Sequence, residues 1–208
     1  MKTDKPVTVA DRLIPIDRDY RTLHWMHLVN SEWPGGKLMR QFFGEPFLNR
    51  GEKVVWRNYE ASYNVQELEP ASREKSTYVL QEFFIPVGDL NSFAPKMVQI
   101  LQRHNVNTIN ISIRHAYPDP GTLLAWAREE VFAFVLYYKQ GTSHADRHEV
   151  AMWTRELIDA AIAHRGAYYL PYQIWGTDQQ FHKAYPRADE FFALKAKVDP
   201  TYKFRNKL

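Results

Sequence analysis

From residue 77 onward the apolar positions repeat with a period near two in some stretches and near 3.6 in others, and the switches between the periods mark the elements. Residues 77–86 (TYVLQEFFIP) are aromatic and β-branched and end at a proline, which predicts a strand. Leu90, Phe93, Met97, Ile100 and Leu101 then share one face at helical spacing. They predict a helix over 89–104, capped by Asp89 or Ser92, with Pro95 tolerated in its first turns. In 107–115, Ile109, Ile111 and Ile113 alternate with Thr108, Asn110, Ser112 and Arg114, so the strand has one apolar and one polar face. Residues 130–139 are apolar on both faces and predict a central strand. Ser143 and Asp146 form an acidic capping box for a helix over 145–164, with Val150, Trp153, Leu157, Ala160 and Ala161 inward and Gly166 beyond its end. A fourth strand is expected over 167–173. Pro186 opens a last helix, with Phe191 and Leu194 inward, and Asp199-Pro200 closes it.

The order β-α-β-β-α-β predicts an α+β fold: a four-stranded antiparallel sheet in the split βαβ (ferredoxin-like) arrangement, with helices on one face. The other face is left for water, a ligand or another domain. Ahead of this pattern, Pro6, Pro15, Pro34, Pro46 and Gly35-Gly36 break the chain, and only 20–31 reads as a short helix. Trp25 and Trp33 are large residues for so loose a stretch. The expected organisation is an irregular N-terminal arm or linker over 1–54, a sheet domain over 55–184 and a C-terminal helix and tail over 185–208.

Composition narrows the function. A net charge of +3 with interspersed signs leaves no basic stripe for a phosphate backbone, so no nucleic-acid partner is expected. The absence of cysteine excludes disulfides, thiolate metal sites and a cysteine nucleophile, and fits a reducing compartment. The N-terminus carries no apolar signal core, and the longest apolar run, 131–138, is too short to span a bilayer. A cytoplasmic protein is the expectation; membrane association is allowed but not indicated. Aromatics at 14% build cores and also line pockets for flat ligands.

Arg114 is the leading candidate for chemistry, because a permanently charged guanidinium stabilises anions and developing negative charge. Glu82, on a strand expected beside that of Arg114, either pairs with it or accepts a proton from a substrate hydroxyl. A purely structural ion pair explains the two equally well. His144 and His148 have metal-compatible i,i+4 spacing but no third partner nearby, so no metal is expected. Neither a glycine-rich phosphate loop nor a nucleophile elbow is present.

The C-terminal run Asp199-Pro200-Thr201-Tyr202-Lys203-Phe204-Arg205-Asn206 resembles the D-P-x-x-x-F-x-N ending of FAD-linked oxidases of the vanillyl-alcohol-oxidase superfamily, specifically the D-arabinono-1,4-lactone and alditol oxidase branch. Residues 110–114 (NISIR) resemble that branch's strand ending in a substrate-side arginine, and 81–86 (QEFFIP) its opening cap strand. The resemblance spans about residues 55–208. It implies the cap part of a flavoenzyme that oxidises a hydroxyl-bearing substrate by hydride transfer to FAD, the FAD being held mainly by a domain or subunit outside this chain. It places Arg114 and Asn206 at the flavin, Arg114 and Glu82 in catalysis, and Ser112, Asn110 and Gln173 at the substrate. By itself the chain is then expected to be inactive. Two departures bear on the substrate: Ser112 stands where the family has an acidic residue, and 170–173 (LPYQ) stands where it has His-Trp-Gly-Lys, so Gln173 replaces the lysine. The rival readings are a non-catalytic ferredoxin-like binding module and a subunit-interface protein docking through residues 1–50.

Overall fold

Strong period-two segments pair into one sheet, and the helical segments between them close over one of its faces. The structure, a computed structural model, describes residues 21–44, 46, 50 and 72–205. It divides into two units, residues 1–72 and 73–208.

In the first unit, α1 (Arg21–Glu32) is followed by α2 (Gly36–Met39) and a π-helical turn over Arg40–Gly44. The stretch after residue 20 is therefore more helical than an irregular arm. Trp25 and Trp33 are both exposed. Residues 1–20 and nearly all of 45–71, with the expected boundary at 54/55, lie outside the described residues.

The second unit runs β1 (Ser76–Pro86), α3 (Leu90–Arg103), β2 (Asn107–Ala116), β3 (Val131–Gly141), α4 (His144–Ala163), β4 (Ala167–Tyr168), α5 (Asp178–Ala184) and α6 (Ala188–Val198). The four strands form one antiparallel sheet in the order β2-β3-β1-β4. This is the expected α+β arrangement, with the doubly apolar β3 in the interior. Register fixes the two faces. Phe83 pairs with Phe134 and Val79 with Tyr138. That face meets the helices: Phe93 of α3 packs edge-on to Phe134 at 5.2 Å, and Trp153 of α4 edge-on to Tyr138 at 4.9 Å. Met97, Ile100, Leu157 and Ala161 complete the buried layer. On the opposite face lie Glu82, Phe84, Ala133, Val135, Asn110, Ser112 and Arg114.

Local chemistry sets the helix ends. Ser143 accepts a hydrogen bond from the Asp146 amide at 3.2 Å, and the Asp146 carboxylate accepts one from the Ser143 amide, also at 3.2 Å. At the other end Arg165 adopts φ 59°, and the Gly166 amide reaches back to the Ala161 carbonyl at 2.8 Å. The left-handed position is thus Arg165 rather than Gly166. Glycine follows it because a Cβ there would collide with the Phe84 and Ala161 carbonyls.

Several expectations change. Asp89 precedes α3 without a side-chain cap, and its carboxylate pairs with Arg165 at 3.0 Å instead. A bulge between Thr108 and Asn110 turns Thr108 to the Tyr138 side, so strict alternation begins only at Asn110. The fourth strand ends at Tyr168, with one more ladder bond from the Tyr169 amide to the Glu82 carbonyl, because Pro171 has no N–H to extend it. Helix α5 arises from a Thr177/Gln180 capping box not read from the sequence. On α6, Phe191 is half-buried and Leu194 points outward. Tyr185 and Ala188 are buried in the core of the sheet, so residues 185–198 belong to this unit.

One contact predicts a pH dependence. His104, just after α3, sets Nδ1 against Glu149 at 2.8 Å and Nε2 against Glu156 at 3.1 Å, and Glu156 also pairs with Arg103. The hydrogen bond with Glu149 leads the effects that raise the imidazole above its ordinary value. A raised folded value contributes stability that is complete below the unfolded value near 6.5 and is lost as pH rises through the folded one. His104→Gln is expected to remove about 1 kcal/mol at pH 5.5 and much less at pH 8.5. Urea midpoints at the two pH values check this, and an equal loss at both would refute it.

Candidate functional site on the second sheet face

The face opposite the helices carries charge at its edges and small apolar residues at its centre. Arg114 and Asn110 are exposed; Ser112 and Glu82 are half-buried. Asn110 donates through Nδ2 to the Ser112 hydroxyl at 3.1 Å. Glu82 was expected on a strand next to that of Arg114, but β3 runs between them: Ser112 pairs with Val135, which pairs with Glu82. Arg114 similarly pairs with Ala133, which pairs with Phe84. Two strand spacings put the β1 and β2 backbones roughly 10 Å apart. Between them Ala133 and Val135 are both buried.

The two groups sense each other without touching. Burial pushes the Glu82 carboxyl above its usual range, and the Arg114 guanidinium partly offsets this. Among the described residues Arg114 makes no hydrogen bond or ion pair, so the pairing with Glu82 or Ser112 expected from the pattern does not form. The face therefore holds a carboxyl biased towards its proton-bearing form and a guanidinium without an anion. Arg114→Gln is expected to raise the Glu82 value further, because the influence that opposes burial is removed. A carbon-detected titration of the Glu82 carboxyl reads this directly, and an unchanged or lowered value would break the link.

Aromatic rings border the charged strip. Trp126 stacks on Phe84 at 4.2 Å, Tyr169 meets Phe84 edge-on at 6.1 Å, and Tyr172 meets Tyr169 at 4.8 Å. Burial raises the Tyr172 hydroxyl, Glu82 and Tyr169 add to the rise, and Arg114 opposes it, which places Tyr172 in the same electrostatic field. These four rings were not singled out from the sequence. The density of tyrosine in 168–172 was the available signal.

The other candidates fall elsewhere. Gln173 lies on the loop after β4, its Oε1 accepting from the Trp175 indole N–H at 2.5 Å. It lines a groove at the ends of β1 and β3 rather than joining Arg114 and Ser112. Asn206 lies outside the described residues. His144 and His148 are exposed on α4, and no group of three His, Cys, Asp or Glu side chains among the described residues is placed to hold a metal. Asp199 proves structural: its carboxylate accepts from the Lys203 and Phe204 amides at 2.8 and 3.0 Å and pairs with Lys195. The hydrogen bond with Lys195 leads the effects holding that carboxyl below its usual range. The D-P-x-x-x-F segment is thus a closed turn that folds the tail back on α6.

No protein-family model and no curated protein matches the sequence. No helix among the described residues is long and apolar enough to cross a membrane.

Proposed function

We propose that this chain is the substrate-side part of an FAD-dependent oxidoreductase acting in the cytoplasm on a hydroxyl-bearing substrate of the sugar-lactone or alditol type. The observation that supports it is the sheet face itself, where an unpaired Arg114 and a burial-shifted Glu82 stand beside a continuous aromatic border. These residues fit one wall of a flavin site. The faces of the partly exposed rings, Trp126, Tyr169 and Tyr172, suit a flat ring, and a guanidinium suits its electron-rich edge.

When bound, the flavin would supply the redox centre that accepts hydride from the carbinol carbon. The chain's own residues bind and move a proton. Glu82 accepts the proton of the substrate hydroxyl at its carboxylate, and a raised value makes it a better base near neutral pH. Arg114 donates to the oxygen on which negative charge grows. Asn110 and Ser112, already joined to each other, orient neighbouring hydroxyls. The face encloses a ligand on one side only, whereas small-molecule sites cover roughly 70–90% of a ligand. A flavin-binding domain or subunit supplies the remainder.

The test is reconstitution. The chain is mixed with FAD, alone and with the flavin-binding domain of a related oxidase, then desalted and scanned in the visible. Flavin retained only with the partner domain, and bleached anaerobically by an alditol or sugar lactone, is the expected result. Stoichiometric yellow protein from the chain alone would overturn the half-site reading. Retention without bleaching by any hydroxyl substrate would favour a non-catalytic binding module.

A further inference from the structure

The groove that holds Gln173 has a chemistry of its own. It has a volume of about 830 Å³ and opens where residues 170–175 pass the ends of β1 and β3 and the start of α4. That size suits a small molecule, for which sites of roughly 300–1,000 Å³ are usual.

Its charge is one-sided: no aspartate or glutamate among the described residues lines it. Arg147, in the first turns of α4, is exposed, and its guanidinium has no partner among the described residues. Gln140 already accepts the Tyr138 hydroxyl on its amide oxygen at 3.0 Å. Gln173 likewise accepts the Trp175 indole on its own. Each keeps its amide N–H₂ for another acceptor. Three donor groups, one permanently charged, therefore line the groove with no acid beside them among the described residues. The rest of the described wall combines the apolar Leu170, Ile174 and Trp175 with the hydroxyls of Thr77, Thr142 and Tyr172.

A cation would meet Arg147. A neutral polyol would find acceptors in the lining hydroxyls but would leave the Arg147 charge without an anion. A nucleic-acid backbone would need several cations, where the described lining has one. An organic anion with a flat body satisfies both halves of the lining: its head receives charge-assisted hydrogen bonds, and its body covers the indole wall. We propose that this groove binds a small aryl carboxylate, its head on Arg147 and the two glutamine amides and its ring on Trp175. The site stands whatever chemistry the sheet face performs.

Isothermal titration of the full chain with naphthalene-2-carboxylate and with naphthalene-2-carboxamide tests it. The two differ in charge and little in shape. The acid is expected to bind about tenfold or more tightly than the amide, the scale of one charge-assisted hydrogen bond. Arg147→Gln should abolish that preference while the melting temperature holds, since the side chain is exposed and unpaired. No acid binding at millimolar concentration, equal affinity for the two ligands, or a preference that survives Arg147→Gln would each overturn the assignment. The acid–amide comparison on the unaltered chain needs no variant, so a misfolded mutant cannot rescue the proposal.

Discussion

Phe134→Ala is expected to destabilise the protein by about 3–5 kcal/mol, the range for truncating a large buried aromatic. Phe134 is 2% exposed and lies on β3, the strand flanked by β2 and β1. It is paired with Ile113 on one side and Phe83 on the other. Phe93 of α3 packs edge-on against its ring. Removing the ring opens a void bordered by two strands and a helix, none of which can collapse without breaking register. Urea unfolding checks this as a lower midpoint with an unchanged slope. Phe132→Ala, two residues along and only half-buried, serves as the comparison and should lose clearly less. A loss below about 1 kcal/mol for Phe134→Ala would mean that this layer is not the core.

The second large effect is functional. On the function proposed above, Arg114→Ala in the enzyme reconstituted with FAD and its partner domain is expected to lower kcat about 10²–10³-fold, the scale of removing one donor to developing charge. The fold should be indifferent: Arg114 is exposed and makes no hydrogen bond or ion pair among the described residues, so the melting temperature should barely move. Arg114→Lys keeps the charge but loses the planar fork and should recover only part of the rate. Full activity in Arg114→Ala would remove Arg114 from the mechanism. Equal losses of activity and stability would point to a structural role.

The candidate site was half legible from the sequence. Asn110, Ser112 and Arg114 alternate with isoleucines, and a strand has a side-chain period of two, so placing one of them on the second face places all three. Glu82 reaches the same face by the same logic within β1. The aromatic border was harder to read. Trp126 lies in the connection between β2 and β3, and Tyr172 in the loop after β4. No periodicity constrains a loop side chain, so nothing local announced that these rings meet.

What the sequence determined by itself was the succession β1-α3-β2-β3-α4-β4 and, apart from the Thr108 bulge, the faces of those elements. Those are local properties, set by apolar spacing, the Ser143/Asp146 box and the proline that ends β1. What only the tertiary structure decided was how far apart the candidate side chains lie across the sheet, since the strands of Glu82 and Arg114 were read as neighbours. Two crossing helices carry the chain from β1 to β2 and from β3 to β4, and their joint packing on one face puts β3 between β1 and β2. That order separates Glu82 from Arg114 by one strand. It leaves the first unpaired and shifted by burial and the second without an anion. Pro171 adds its own decision: lacking an N–H, it stops β4 after two residues and sends Gln173 away from the arginine it was expected to join, into the groove with Arg147.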